Sequence, residues 1–279
     1  MDRPHLIVTE NYAQFAFSEL VTGLGEPGQE THVLDVARAL VRRSAISFAL
    51  VTVNSPGTSE LRDRDELAAA LVEADIAGTG VVLHGDDVAA TIGAYLDGLA
   101  NPLMCMASHG RGPIAALVLG SPSEELLTHT SHPVLLVGPK ARAITTLSRT
   151  LVACLDGSDV SEHVLSAALA WAASFGGDVL VVRHVSDDAS AADALAAPQQ
   201  LFRAVEWLRF RGIAARPELI EGRSTAVAIC EAARRVGVSA VAMTTRARPP
   251  LRRMTFGSVA LDVLRDVSRP VLLVNPSAG

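Results

Sequence analysis

A chain of 279 residues, 49% hydrophobic but only 4% aromatic, has the length of two ordinary domains and suits Ala-rich helices packed on Val- and Leu-rich strands. Its formal net charge of −6 gives no general support for binding nucleic acid or an anionic membrane, and its longest apolar runs, such as Pro133 to Val137, are far shorter than the ~20 residues that span a bilayer. No secretory leader is visible after Met1, and the widely spaced Cys105, Cys154 and Cys230 read as reduced core residues and not as a disulfide framework or metal site, so a cytoplasmic protein is expected.

In chain order, residues 1–15 read as an N-terminal extension, with His5 to Val8 either an added edge strand or a mobile tail. Residues 16–140 and 149–279 read as two domains, with a linker at 141–148. In the first, apolar runs predict strands at 20–24, 48–53, 80–83, 103–107 and 133–137. Helical spacing predicts helices at 31–42, 60–74, 88–99 and 121–130. The second repeats the order, with strands at 150–155, 178–185, 218–221, 240–244 and 270–274. Its helices are predicted at 161–175, 199–211, 225–236 and 258–267, the first ending at Gly176 and Gly177 and the second at Gly212. The Ala/Asp/Ser-rich stretch 187–198 reads as a loop.

The two domains are copies. The eight residues from His132 (His-Pro-Val-Leu-Leu-Val-Gly-Pro) recur from Arg269 (Arg-Pro-Val-Leu-Leu-Val-Asn-Pro), an offset of 137 (269 less 132). Gly120 and Ser121 recur at the same offset as Gly257 and Ser258. His32 and His163 also correspond, which suggests packing inherited with the duplication. Alternating strands and helices of these lengths make βαβ units, and strands apolar throughout make parallel sheets covered on both faces.

The stretch from Ala107 to Ser121 (Ala-Ser-His-Gly-Arg-Gly-Pro-Ile-Ala-Ala-Leu-Val-Leu-Gly-Ser) carries the chemistry. Small residues follow a strand, and Gly120-Ser121 opens a helix whose unpaired N–H groups suit a phosphate. Gly110 and Gly120, with nine residues between them and followed by Ser121, resemble the Gly-x-x-Gly, nine residues, Gly-Ser/Thr pattern of the universal stress protein family. Ala107 stands where that family has its first glycine. The resemblance runs from about residue 16 to 276.

The resemblance implies two tandem five-stranded parallel-sheet α/β sandwiches of strand order 3-2-1-4-5, with a ligand crevice where the order reverses. It implies a pseudo-dimer in which Pro133 to Val137 and Pro270 to Val274 pair antiparallel, and it leaves a homo-oligomer open. In ATP-binding members an Asp after strand 1 lies near the adenine, and the glycine loop holds ribose and phosphates. The matching positions are Asp156, Gly157 and Ser158, the loop with Ala107, His109, Gly110, Gly112, Gly120 and Ser121, and its copy with Thr244, Ala247, Gly257 and Ser258.

Neither half has the whole set. The first has Gly25, Glu26 and Pro27 at the strand-1 turn; the second has Thr244 and Ala247 in place of the early glycines, then Pro249 and Pro250, which lack N–H donors. Arg246, Arg248, Arg252 and Arg253 read either as replacement phosphate ligands or as a solvated loop. Asp156 reads either as a ligand group or as a helix cap, and His109 as a solvated side chain. No nucleophile stands beside a base, no motif spaces metal ligands, and no Gly-x4-Gly-Lys-Ser/Thr loop is present. The expectation is an ATP- or other adenine-nucleotide-binding stress protein with little or no catalysis. A nucleotide-free interaction scaffold and a weak ATPase are the alternatives.

Overall fold

The computed structural model of the protein describes residues 13–24, 31–54, 60–108, 125–127, 130–141, 149–235, 237–247, 254–255 and 257–275. Its first half runs β1 (Glu19–Gly23), α1 (Thr31–Val41), β2 (Ser47–Asn54), α2 (Glu60–Glu73), β3 (Thr79–His84), α3 (Val88–Asp97), β4 (Pro102–Ala107) and β5 (Val134–Val137). The second runs β6 (Thr150–Leu155), a 3-10 turn (Asp159–His163), α4 (Val164–Phe175), β7 (Asp178–Val185), α5 (Ala191–Phe210) and β8 (Ala215–Glu221). It continues with α6 (Thr225–Arg234), β9 (Val238–Thr244), β10 (Arg246–Ala247), β11 (Met254–Thr255), α7 (Ser258–Asp266) and β12 (Val271–Val274).

Each half has the strand order 3-2-1-4-5, but the halves do not keep separate sheets. The order across the molecule is β3-β2-β1-β4-β5-β12-β9-β6-β7-β8, one ten-stranded sheet. Its neighbours are parallel except at the centre, where β12 runs antiparallel to β5 with Val271 opposite Leu136, Leu272 opposite Leu135 and Leu273 opposite Val134. The two five-stranded sheets expected are thus joined edge to edge into one, through the antiparallel pairing expected of these two segments. The last strand of each half is an apolar edge, and all four residues of β5 and of β12 are buried once the two edges pair.

Helices cover both faces, which is why the inner strands are largely apolar. Leu20, Leu103, Leu135, Leu151 and Val179 face a core shared with α1, α2, α4 and α5. Val21, Met104, Leu136, Val152 and Leu180 face the other, with α3, α6 and α7. At the seam, the Phe17 amide donates to Ser174 Oγ (2.7 Å) and the Asn275 side-chain amide donates to the Thr130 carbonyl (2.9 Å).

Two local expectations change. Residues 191–198, read as loop, are the first turns of α5. Ser190 Oγ accepts the Asp193 N–H (3.1 Å) and caps a run of alanines, and this start carries the helix through Pro198. The helix expected from residue 161 begins instead as a 3-10 turn at Asp159, capped by Ser158. His5 to Val8 and most of 121–130 lie outside the described residues. No helix among the described residues is long and apolar enough to cross a membrane.

Candidate functional site at the second switch point

From β6 the chain continues sideways to β7, and from β9 to β12 on the other side, so a crevice opens between the C-terminal ends of β6 and β9. It has a volume of about 510 Å³ and is bounded by Asp156, Ser158, His184, Thr225, Thr244 and Ser258, among others.

The turn after β6 closes on itself. Asp156 Oδ1 accepts from the Ser158 N–H (3.0 Å) and from Ser158 Oγ (2.6 Å), while Ser158 Oγ accepts the Ser161 N–H (3.2 Å). Asp156 therefore orders the turn, and Ser158 passes that order to the 3-10 helix. Gly157 lies between them at φ +95°, and a Cβ there would stand 2.6 Å from Arg183 Nη2.

Arg183 comes from β7, opposite Leu155, and is 3% exposed. Its Nη2 donates to Asp193 at the start of α5 and its Nη1 to Gln200 Oε1 (3.2 Å). Gln200 in turn donates to Glu162 Oε1 (3.2 Å). Arg183 Nε is buried with no partner among the described residues. A buried guanidinium is tolerated because a carboxylate and an amide face it, so the floor of the turn is a polar network inside an apolar core.

His184, the next residue, forms a wall of the crevice. Its Nε2 is 2.8 Å from the Gly222 carbonyl and its Nδ1 3.1 Å from Thr225 Oγ1. A carbonyl only accepts, so Nε2 carries a proton there. The ring is held in place as a wall, with both nitrogens engaged. Cys154 also lines the crevice, and burial pushes its thiol well above the usual range, so it adds an uncharged surface.

On the β9 side, Thr244 Oγ1 donates to the Ser161 carbonyl (3.2 Å), tying the strand end to the opposite wall. Thr245 then turns inward, its N–H and Oγ1 both directed at the Val274 carbonyl (2.9 and 3.3 Å). Ser108 repeats this in the first half with the Val137 carbonyl (3.0 and 3.4 Å). Arg246 and Ala247 pair antiparallel with Thr255 and Met254, so two described parts of the segment matching the glycine loop lie side by side. Gly257 is the N-cap residue of α7 and makes no side-chain cap. With Ser258 it borders the crevice.

The fold thus brings Asp156, Ser158, Thr244, Gly257 and Ser258 to one crevice, with Gly157 beneath the turn and Ala247 in β10. Ala107 ends β4 opposite Val137. His109, Gly110, Gly112, Gly120 and Ser121 lie outside the described residues. Arg183, His184, Gln200 and Thr225 were not among the expected site residues. The only local signal was Arg183-His184 interrupting the apolar run of β7. Among the described residues, no group of three or more His, Cys, Asp or Glu side chains is placed to hold a metal ion.

The model of the family described as "Universal stress protein family" matches residues 9–138 and again 148–275. A universal stress protein from Archaeoglobus fulgidus is structurally similar with a TM-score of 0.67 at 19% identity, over 94% of this chain and 99% of that one. A putative universal stress protein from Pseudomonas aeruginosa UCBPP-PA14 follows with 0.63 at 18%, over 94% and 95%. A protein of unknown function from Pseudomonas aeruginosa PAO1 gives 0.62 at 19%, over 95% and 94%. No curated protein matches the chain.

Proposed function

The chain belongs to the universal stress protein family as two copies of its domain in tandem, and on that premise we propose that it binds an adenine nucleotide at its switch-point crevices and holds it without turning it over. The observation that carries this reading is the crevice of about 510 Å³ between the Asp156-Gly157-Ser158 turn and the Gly257-Ser258 helix start. Its volume is that of an ordinary small-molecule site, and the first N–H groups of α7 are the fold's natural phosphate donors.

The two crevices are unequal in this reading. In the second half Thr244 and Ala247 replace the early glycines, and Thr244 is tied to the Ser161 carbonyl, so this half lacks the bare backbone that a phosphate cradle needs. In the first half Gly110, Gly120 and Ser121 keep the glycine spacing, so that half makes most of the phosphate contacts. The family resemblance suggests a role in stress sensing or nucleotide sequestration in the cytoplasm.

The departures at Ala107, Thr244 and Ala247 favour one second reading, a scaffold whose duplicated sites have lost their ligand. Small molecules released by denaturing the protein, after incubation with millimolar ATP and desalting, separate the two. An adenine nucleotide near one per chain is expected; a protein that releases none is the scaffold.

A further inference from the structure

Helix α5 has two unlike faces. Ala197, Leu201, Ala204, Val205 and Leu208 are buried against the sheet, while Leu195, Phe202 and Phe210 are 72%, 63% and 90% exposed. At 3.6 residues per turn the exposed three fall within about 80° of one another on the side opposite the buried face. Large apolar side chains so aligned, on a helix otherwise free to carry charge, mark a surface that another surface covers. The scaffold itself does not require them. Helix α2, the same element in the first half, exposes Leu61 and Val72 but turns Arg62, Arg64, Asp65 and Glu66 to solvent beside them and has no aromatic residue.

The stripe is complementary to itself. Phe202 stands at its centre, with Leu195 seven residues before it and Phe210 eight after. Two α5 helices laid antiparallel about a two-fold axis through Phe202 would set each Leu195 against the other copy's Phe210. The charges agree with that direction. Asp187 and Asp188 precede the helix, Asp187 lying 3.9 Å from Arg223, while Arg203 and Arg209 lie in its second half and Arg211 directly after it with Glu206 among them, so the net acidic end of one copy meets the net basic end of the other. The helix dipoles also oppose favourably. An anionic membrane fits less well, because the acidic end of the stripe would face it.

We propose that the chain associates with a second copy of itself through the outer face of α5, in an isologous, antiparallel contact centred on Phe202. One helix face is at the small end of specific interfaces, so the dimer depends on concentration.

Sedimentation of the full chain tests this. The mass is expected to rise from 29.2 kDa towards twice that value between about 1 and about 200 µM, the range expected of a small interface. Phe202→Glu should hold the monomer mass throughout with an unchanged circular dichroism spectrum. Leu61→Glu, on the corresponding helix α2, should leave the dimer intact. Mild copper-phenanthroline oxidation should join two Phe202→Cys chains but not two Leu195→Cys chains, because only the central residue meets its own copy. A wild-type chain that stays monomeric, a dimer that survives Phe202→Glu, or equal cross-linking at 195 and 202 would overturn the proposal. So would a Phe202-dependent association with anionic vesicles by a monomer. If Phe202→Glu unfolds the chain, Phe202→Ser with the same mass readout replaces it.

Discussion

Arg183 Nη2 occupies the space into which any side chain at position 157 would project, 2.6 Å from where the Cβ would be. The turn that shapes the crevice and the buried guanidinium beneath it therefore specify each other. Gly157→Ala brings two penalties, a positive φ of +95° and a contact with a group held by Asp193 and Gln200. The backbone term alone is about 1–2 kcal/mol, and denaturant unfolding should show at least that loss.

Replacing Arg183 with Met should cost about 1–3 kcal/mol, because the Gln200 side-chain oxygen loses its donor inside the core. Lys does not restore it, having a point charge where a fork spans two acceptors. The two changes should not add. In the Met background Gly157→Ala loses its steric clash, and a double-mutant cycle should show coupling of about 0.5 kcal/mol or more.

The thiols give a pH dependence whose sign is fixed. Burial pushes Cys105 up to about 12, and raises Cys154 and Cys230 as well. Between about pH 8.5, where an unperturbed thiol ionises, and the raised folded values, the unfolded chain has lost these protons and the folded chain keeps them. The thiols' contribution to stability is therefore fully present below about pH 8.5 and lost as pH rises towards 12. Stability measured from pH 8 to 10 should fall more steeply in the wild type than in Cys105→Ala. A disulfide reagent at pH 8 should find no thiol in the native protein and all three after unfolding.

Turnover should be negligible. Phosphoryl transfer needs charge stabilisation and a positioned water or base at the γ-phosphate, and the sequence offers only Arg111 and His109 near the first-half loop. An ATPase assay is expected to stay well below about 1 s⁻¹, the low end of ordinary enzymes. A rate of that order that disappeared with His109→Ala would restore the enzyme reading.

The duplication made most of the fold legible in the sequence. The offset linking His132 with Arg269 and Gly120 with Gly257 located equivalent strands, while the 3-2-1-4-5 order of each half came from the family resemblance and not from the offset. The joined sheet was expected from the resemblance and the apolar edge strands, not from the repeat itself, because β5 and β12 meet across 137 residues of sequence separation. Residues 191–198 misled because Pro198 and the Asp/Ser content read as a loop, whereas the Ser190 cap and the alanines outweigh them. At the site, Asp156 and Gly157 were visible as a turn signal. Arg183 and His184 were not, since their roles depend on register: Arg183 lies opposite Leu155 in β6, under Gly157, and His184 faces the other side of the sheet towards Thr225. The pairing of Arg246 and Ala247 with Thr255 and Met254 was not legible, since at Pro249 and Pro250 the sequence showed only missing N–H donors.

The central claim is that the protein binds an adenine nucleotide in two unequal crevices, the first dominant. Calorimetric titration of the full chain with ATP, in the wild type, Gly120→Trp and Asp156→Ala, tests it most directly, with matched melting curves to establish folding. One dominant site is expected in the wild type, lost in Gly120→Trp and retained in Asp156→Ala. No binding in the wild type, or a dominant site that survives Gly120→Trp and disappears with Asp156→Ala, would contradict the account.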